Sequence, residues 1–343
     1  MTALGAGMVA DLGEAPAAVR RQQQSLSLPL DDLVARLARR PPDVVVTCAR
    51  GSSAHAATFA KHLIERYLGI PVAAAAPNIA TIYRQPLRLR DQLFLAVSQS
   101  GRSHDLIAAA AAARAAGALT AAVVNDVQSP LASACEIVLP IAAGPERSVA
   151  ATKTFIASVA AMLRLAAHWA RSDAMGAACE RLPARLEEAA RLDWSETLGP
   201  LTAAHSLAAI GRGPTLAVAR EAALKLKEVC TLHAEAFSAA EFRHGPIALV
   251  SSTYPVLALA PTDASAVGFA DLAADLRRKG AYLLVAEPGD RRPGRLPTLA
   301  PEQPDADAIC LAQTFYTFLV RLAVQRGADI DRPRHLQKVT RTR

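Results

Sequence analysis

The sequence predicts an α/β protein in which one unit, a parallel sheet flanked by helices, occurs twice in tandem. Three observations predict this. Short β-branched or apolar runs alternate with longer helical runs. The short runs are apolar throughout, as parallel strands covered on both faces are. The pattern of the first half then returns in the second at a nearly constant offset. Val44, Val45 and Val46 precede a helix over 54–67, and the run 93–97 precedes an Ala-rich helix ending at Gly117. Residues 120–124 and 137–139 read as further strands. In the second half, 206–210 runs into Gly211-Arg212-Gly213 and echoes 44–48 running into Ala49-Arg50-Gly51, at an offset of 162. The run 256–259 echoes the strand ending at Val97 at the same offset, Gly280 echoes Gly117 at 163, and 282–285 echoes 120–124.

The chain of 343 residues suits two domains of roughly 150 residues each. Aromatic residues are only 4% of it, so Ala does much of the filling and helices are expected to lie close to the sheets. The expected boundaries are an N-terminal helical extension over 1–32, a first unit over 33–176, a helical linker over 177–197, a second unit over 198–333 and a basic tail over 334–343. The formal net charge of +7 suits nucleic acid, anionic lipid or a small anionic substrate. The densest basic cluster, 332–343, lacks the interleaved aromatics of a single-strand platform, so nucleic acid is not expected. The five cysteines are scattered and contain no CxxC pair. That argues against a disulfide framework or zinc site and for a reducing cytosol. The start of the chain has no basic-then-apolar leader, and the Ala-rich stretch 106–124 is interrupted by Arg114 and Gly117. It reads as a helix and a strand rather than a membrane span, so a cytoplasmic protein is expected.

Ser98, Gln99, Ser100, Gly101, Arg102 and Ser103 lie between a strand and a helix. Open α/β sheets bind ligands at the carboxyl ends of their strands, and a helix start offers N–H groups and partial positive charge to a phosphate. Each hydroxyl bond to a charged group contributes about 1.5–3 kcal/mol. Taken alone, the loop also reads as a polar turn with Ser103 as helix cap. Ser52 and Ser53, after Gly51, end the preceding strand and can face the same crevice. The matching loop in the second half reads Ala260-Pro261-Thr262-Asp263, with most hydroxyls gone and a carboxylate in their place. Glu221, Lys225 and Glu228 fall on one face of a helix over 220–232. They form either a solvated stripe of weak ion pairs or a carboxylate held near an ammonium for proton transfer. Downstream, His244 in a tight His-Gly-Pro turn is a candidate for acid–base work.

Taken together, these motifs resemble the isomerase half of glucosamine-6-phosphate synthase, built from two sugar-isomerase (SIS) domains. The residues that carry the resemblance are Arg50-Gly51-Ser52-Ser53, Ser98-Gln99-Ser100-Gly101, Ser148 to Lys153, Glu221 to Glu228, His233-Ala234-Glu235-Ala236, His244-Gly245-Pro246 and Asp329 to Lys338. Glu14-Ala15-Pro16 looks like the family's opening helix, and the likeness runs from about residue 8 onward. The resemblance implies that Ser98, Gln99, Ser100 and Ser103 hold a phosphate, with Gly51, Ser52, Ser53 and Val149 near the sugar. It implies that Glu228 moves the proton between C1 and C2, with Lys225 beside it and Glu221 on the same face. His244, supplied by a second subunit of a homodimer, would help open the ring, and Lys338 would contact the sugar's reactive end. No metal or organic cofactor is implied.

Three departures bear on activity. The chain begins Met-Thr-Ala, without the Cys nucleophile of a glutaminase domain; Arg102 stands where the synthases carry an acid; and 339–343 is basic. The run from Gln99 to Ser103 looks more like the stand-alone two-SIS glucosamine-6-phosphate deaminases. The leading expectation is therefore deamination of an amino-sugar phosphate to fructose 6-phosphate and ammonia. A fructosamine-6-phosphate deglycase and a non-catalytic sugar-phosphate sensor are the alternatives. The sensor is disfavoured because Glu228, His244 and Lys338 are all present.

Overall fold

The structure is a computed structural model that describes residues 5–290 and 292–338. The chain forms two compact units, each assembled from separate segments. The first holds Ala17–Glu146 and Lys153–Cys179, joined by 337–338. The second holds Glu180–Leu336 and Arg147–Thr152, joined by 5–16.

The first unit is built on strands β1 (Val45–Ala49), β2 (Val72–Ala74), β3 (Leu93–Ser98), β4 (Leu119–Val124) and β5 (Ile137–Pro140), all parallel in the order β2-β1-β3-β4-β5. Its helices include most of α1 (Ala6–Arg39), with α2 (Gly51–Leu68), α3 (Asn78–Thr81), α4 (His104–Ala115), α5 (Pro130–Ala134), α6 (Lys153–Trp169) and the start of α7 (Asp173–Ala189). Every residue of β3 is buried, as the unbroken apolar run requires. Ala109, Ala110 and Ala113 of α4 pack with Val46, Phe94, Ala96 and Val124, so methyl groups meet the sheet directly.

The second unit repeats this plan with β6 (Ser206–Gly211), β7 (His233–Ser238), β8 (Pro255–Leu259), β9 (Tyr282–Ala286) and β10 (Arg295–Leu296), ordered β10-β9-β8-β6-β7 and again parallel. Its helices include the start of α1 and the end of α7, with α8 (Leu198–Ala203), α9 (Thr215–Cys230), α10 (Phe269–Arg278) and α11 (Pro304–Gln325). The duplication holds at the level of strand register. Val46 pairs with Phe94 in the first sheet, and Ala208 with Val256 in the second, both shifted by 162. Val45 pairs with Val72, and Leu207 with Ala234, by the same shift. In each sheet the chain leaves the first strand for one neighbour and then returns to the other side, which puts a topological switch point between β1 and β3 and between β6 and β8.

The sequence reading missed the edge strands β2 and β7 and the short β10. β2 and β10 are only three and two residues long, and on β7 His233 and Glu235 face solvent, so none reads as an apolar run. The helix expected over 220–232 begins earlier, at Thr215, and stops at Cys230, where Thr231 turns left-handed with φ 49°. α11 is long and apolar enough to cross a membrane, but 72% of its most apolar window is buried inside the unit.

All five cysteines are free and buried. Burial pushes the thiols of Cys48, Cys230 and Cys310 up to about 12 and that of Cys135 to about 11. A thiol held in its protonated form is a poor nucleophile. Native protein should therefore react negligibly with an aromatic disulfide reagent at pH 8, and all five thiols should titrate in denaturant. Rapid native labelling of even one thiol would contradict this packing.

Candidate functional site

In the first unit, the loop from Ser98 to Ser103 leaves the carboxyl end of β3 and enters α4. The turn after β1 carries Gly51, Ser52 and Ser53. The two strand ends are neighbours, since Ala49 pairs with Val97. Both loops therefore lie at the switch point between β1 and β3. The loop's own geometry changes the donor set. Gly101 N–H donates to Ser98 Oγ at 3.1 Å, and Arg102 N–H to Ser100 Oγ at 3.3 Å. Two backbone amides are thus turned inward, while each hydroxyl, used as acceptor, keeps its proton to donate elsewhere. Ser103 sits at the cap position of α4 without a side-chain capping bond, which sets aside the simple cap reading. The hydroxyls of Ser52 and Ser53 form no hydrogen bond among the described residues. Ser98 and Ser100, with Ser52 and Ser53, thus keep hydroxyl protons to donate.

Several contacts hold this loop in shape. Gly101 has φ +63°, and a Cβ there would lie 2.0 Å from Ser129 Oγ, so only glycine fits against the cap of α5. The Gln99 and Gly101 carbonyls accept from Asn125 N and Leu131 N. Arg102 pairs with Asp126 at 2.9 Å on the exposed side. Arg50 joins the two loops: its guanidinium reaches the carboxylate of Asp105, only 2% exposed, through Nε at 3.0 Å and Nη2 at 2.9 Å.

The second unit holds the charged face of α9, and the solvated-stripe reading fails there. Glu221 and Lys225 have side chains only 1% exposed, and Glu228 is 21% exposed. The Lys225 ammonium lies 3.6 Å from Glu221 Oε1 and is hydrogen-bonded to Glu228 Oε2. Tyr316 OH of α11 donates to Glu221 Oε1 at 2.9 Å. An ammonium out of water is thereby matched on both sides. The inner carboxylate is fixed by a phenol, while the outer one keeps an edge toward solvent. His244 lies in the same unit, exposed, in the turn after a short 3-10 helix (Glu241–Arg243). Its imidazole makes no bond to Glu228 or Lys225 among the described residues.

Val149 is half-buried in a segment ordered from α1. Asp11, fully buried, accepts from Arg147 N at 2.8 Å, Ser148 N at 3.0 Å and Ser148 Oγ at 3.2 Å. In the first unit the Lys338 ammonium donates to the carbonyl of Glu146. The remaining tail, 339–343, lies outside the described residues.

The sequence reading did not single out Asp11, Asp105 or Tyr316. For the two acids a signal was present. Asp11 shares a helical face with Ala15, Ala18 and Val19, and Asp105 with Ala109, so each is a carboxylate on an apolar face that needs a partner. Removing the central charge of α9 should show how far that cluster holds the second unit together. Lys225→Met should cost about 3–5 kcal/mol, because it strands the buried Glu221. Tyr316→Phe should cost about 1.5–3 kcal/mol, the value of a bond to a charged group. Urea denaturation measures both, and a Lys225→Met protein as stable as the parent would show the charges are not matched as described.

The SIS domain model matches residues 41–168 and 200–285. Glutamine–fructose-6-phosphate aminotransferase (isomerizing) of Zymomonas mobilis is 32% identical over 96% of this chain and 58% of its own length. The chain thus spans little more than half of that relative. A solved structure from Silicibacter pomeroyi DSS-3, a candidate phosphosugar isomerase, is 41% identical, with TM-score 0.90 over 95% of this chain and 99% of that one. A glucosamine-6-phosphate deaminase from Thermotoga maritima shares the fold, with TM-score 0.73 at 22% identity over 96% of this chain and all of that one. The first sheet and strands β6, β7 and β8 of the second fall inside the matched segments, and the chain belongs to the SIS domain family.

Proposed function

We propose that the chain is an amino-sugar-phosphate isomerase-deaminase that converts glucosamine 6-phosphate to fructose 6-phosphate and ammonia. The observation that carries this is the Lys225–Glu228 pair: a carboxylate held by a buried ammonium, with one edge open to a substrate. In this reading Ser98, Ser100 and Ser103 hold the phosphate, with Gln99, Gly51, Ser52, Ser53 and Val149 around the sugar. His244 assists ring opening. Glu228 then removes the proton from C2 of the open-chain aldehyde and returns it to C1, which leaves a C2 imine. Water adds at C2, the carbinolamine collapses, and ammonia departs to leave the C2 ketone. Lys225 orients Glu228, Glu221 holds Lys225, and Lys338 contacts the reactive end. The state of the cysteines supports release of ammonia rather than its capture from glutamine, because all five are buried and none is an accessible nucleophile. A positioned acid–base group contributes about 10²–10⁴-fold to rate.

Purified protein should release ammonium and fructose 6-phosphate from glucosamine 6-phosphate without glutamine or added cofactor. Glu228→Gln should lower kcat by about 10²–10⁴-fold. Ser100→Ala should raise KM about tenfold or more, the effect of one lost bond to a charged group, with an unchanged melting temperature. Cleavage of a fructosamine 6-phosphate with no action on glucosamine 6-phosphate would replace this reading with the deglycase, and ammonia release from glutamine would end it.

The exposure of His244 supports a homodimer in which each copy supplies this imidazole to the other. Mixed dimers of Glu228→Gln with His244→Ala subunits should regain part of the activity that neither variant has alone. Full activity in a monomer, measured by sedimentation with parallel assay, would exclude the shared site.

A further inference from the structure

The second switch-point crevice, between β6 and β8, has no place in the reaction above, yet it is not featureless. A shift of 162 residues puts Thr215 at the position of Ser53, Ala260 at Ser98 and Thr262 at Ser100. All three line a cavity of about 20 Å3, together with Thr298, Thr314 and Asp307. That volume admits about one water. The Asp307 side chain, from the first turn of α11, is part of that lining. Its carboxylate accepts from Thr262 Oγ1 at 2.9 Å, from Arg185 Nη2 at 2.8 Å and from Glu302 N at 3.1 Å. A hydroxyl, a guanidinium and a backbone amide are the donors a bound oxyanion would take. Asp307 and Arg185 have side chains only 11% and 13% exposed.

We propose that the second crevice is an oxyanion site occupied by the chain itself, with the Asp307 carboxylate in the place of the ligand's anionic group. Thr262 binds that carboxylate from the position that Ser100 holds in the first crevice. The inference rests on reading the first crevice as a phosphate cradle. It gives the duplicated chain one sugar-phosphate site, not two. The turn into α9 is also drawn tighter than its counterpart. Thr215 Oγ1 donates to the carbonyl of Leu259 at 2.7 Å, and a Cβ on Gly211 would lie 2.4 Å from Thr215 O, whereas Ala49 stands at the corresponding place in the first unit. The site is therefore closed by a side chain from inside and by a hydroxyl bond across its mouth.

Removing the plug should open the site to small anions. Asp307→Ala leaves Arg185, Thr262 and the Glu302 amide without their acceptor, whereas Asp307→Asn keeps the space filled. Melting temperatures are compared in sodium formate, sodium phosphate and sodium chloride of matched ionic strength, in a Ser100→Ala background that removes the first cradle. The alanine variant should melt lower than its parent in chloride and regain about 2–4 °C or more in formate or phosphate. The asparagine variant and the parent should show no such gain. An alanine variant that is folded but as indifferent to these anions as its parent overturns the proposal. If the alanine variant does not fold, Asp307→Ser is tested in the same salts against the same criterion. Phosphate binding by the otherwise unaltered chain, lost on Ser100→Ala, tests the first cradle separately, so the two readings fail independently.

Discussion

A charge taken out of water must find a partner within a few ångströms or it destabilises the fold by several kcal/mol. In this protein that constraint acts at each of the loops assigned to chemistry. Lys225 stands between Glu221 and Glu228; Asp105 takes the guanidinium of Arg50; Asp11 gathers the amides of Arg147 and Ser148; Asp307 takes Arg185. In the last three cases a nearly buried carboxylate sits on a helix and its partner lies on another segment. The helix fixes the carboxylate, and the need for a partner then fixes that segment. Loops that could otherwise sample many shapes are tied to rigid elements by an energetic demand that few alternative conformations meet.

Duplication shows what this constraint selects. The two sheets share strand order and register through an offset of 162, so the backbone offers the same crevice twice. The difference lies in the side chains that reach it. In the first, Ser98 and Ser100 accept from the loop's own amides and keep their protons for another acceptor. In the second, Thr215 is spent on the carbonyl of Leu259 and Thr262 on Asp307. A backbone crevice at a switch point is an opportunity for binding. Whether it stays open depends on which donors are already committed.

The fold was largely legible because parallel strands buried on both faces must be apolar along their length, as 93–97 and 256–259 are. The strands that escaped notice, such as β7 with His233 and Glu235 turned to solvent, are edges, where that demand lapses. The same physics governs the site. Glu221, Lys225 and Glu228 announce a shared helical face through spacing alone, but spacing is equally consistent with a solvated stripe. Only packing against Tyr316 on α11, 95 residues away, shows which side of that face is buried. Asp11 and Arg147 are likewise 136 residues apart, and no local pattern links them. What could be read was periodicity; what could not was which distant segment completes each buried charge.

Asp307 shows that such pairing does not by itself amount to stabilisation. Burial outweighs its bonds and raises its pKa above the usual carboxylate value, while its partner Arg185 is also held more firmly protonated. A carboxyl group with a raised folded value binds its proton more tightly in the native state. Its contribution is fully present below the unfolded value of 3.8 and is lost as pH rises through the folded one. At neutral pH the ionised side chain is therefore held against its own preference for water. Packing must supply the difference, since α11 is the buried helix of the second unit and the position cannot turn outward. Asp105 lies in different surroundings: it is more deeply buried than Asp307, but its guanidinium partner is half in solvent. Two carboxylates near equivalent crevices thus take opposite parts. One ties the turn after β1 to α4, while the other, in the reading proposed above, stands in for a ligand's anion.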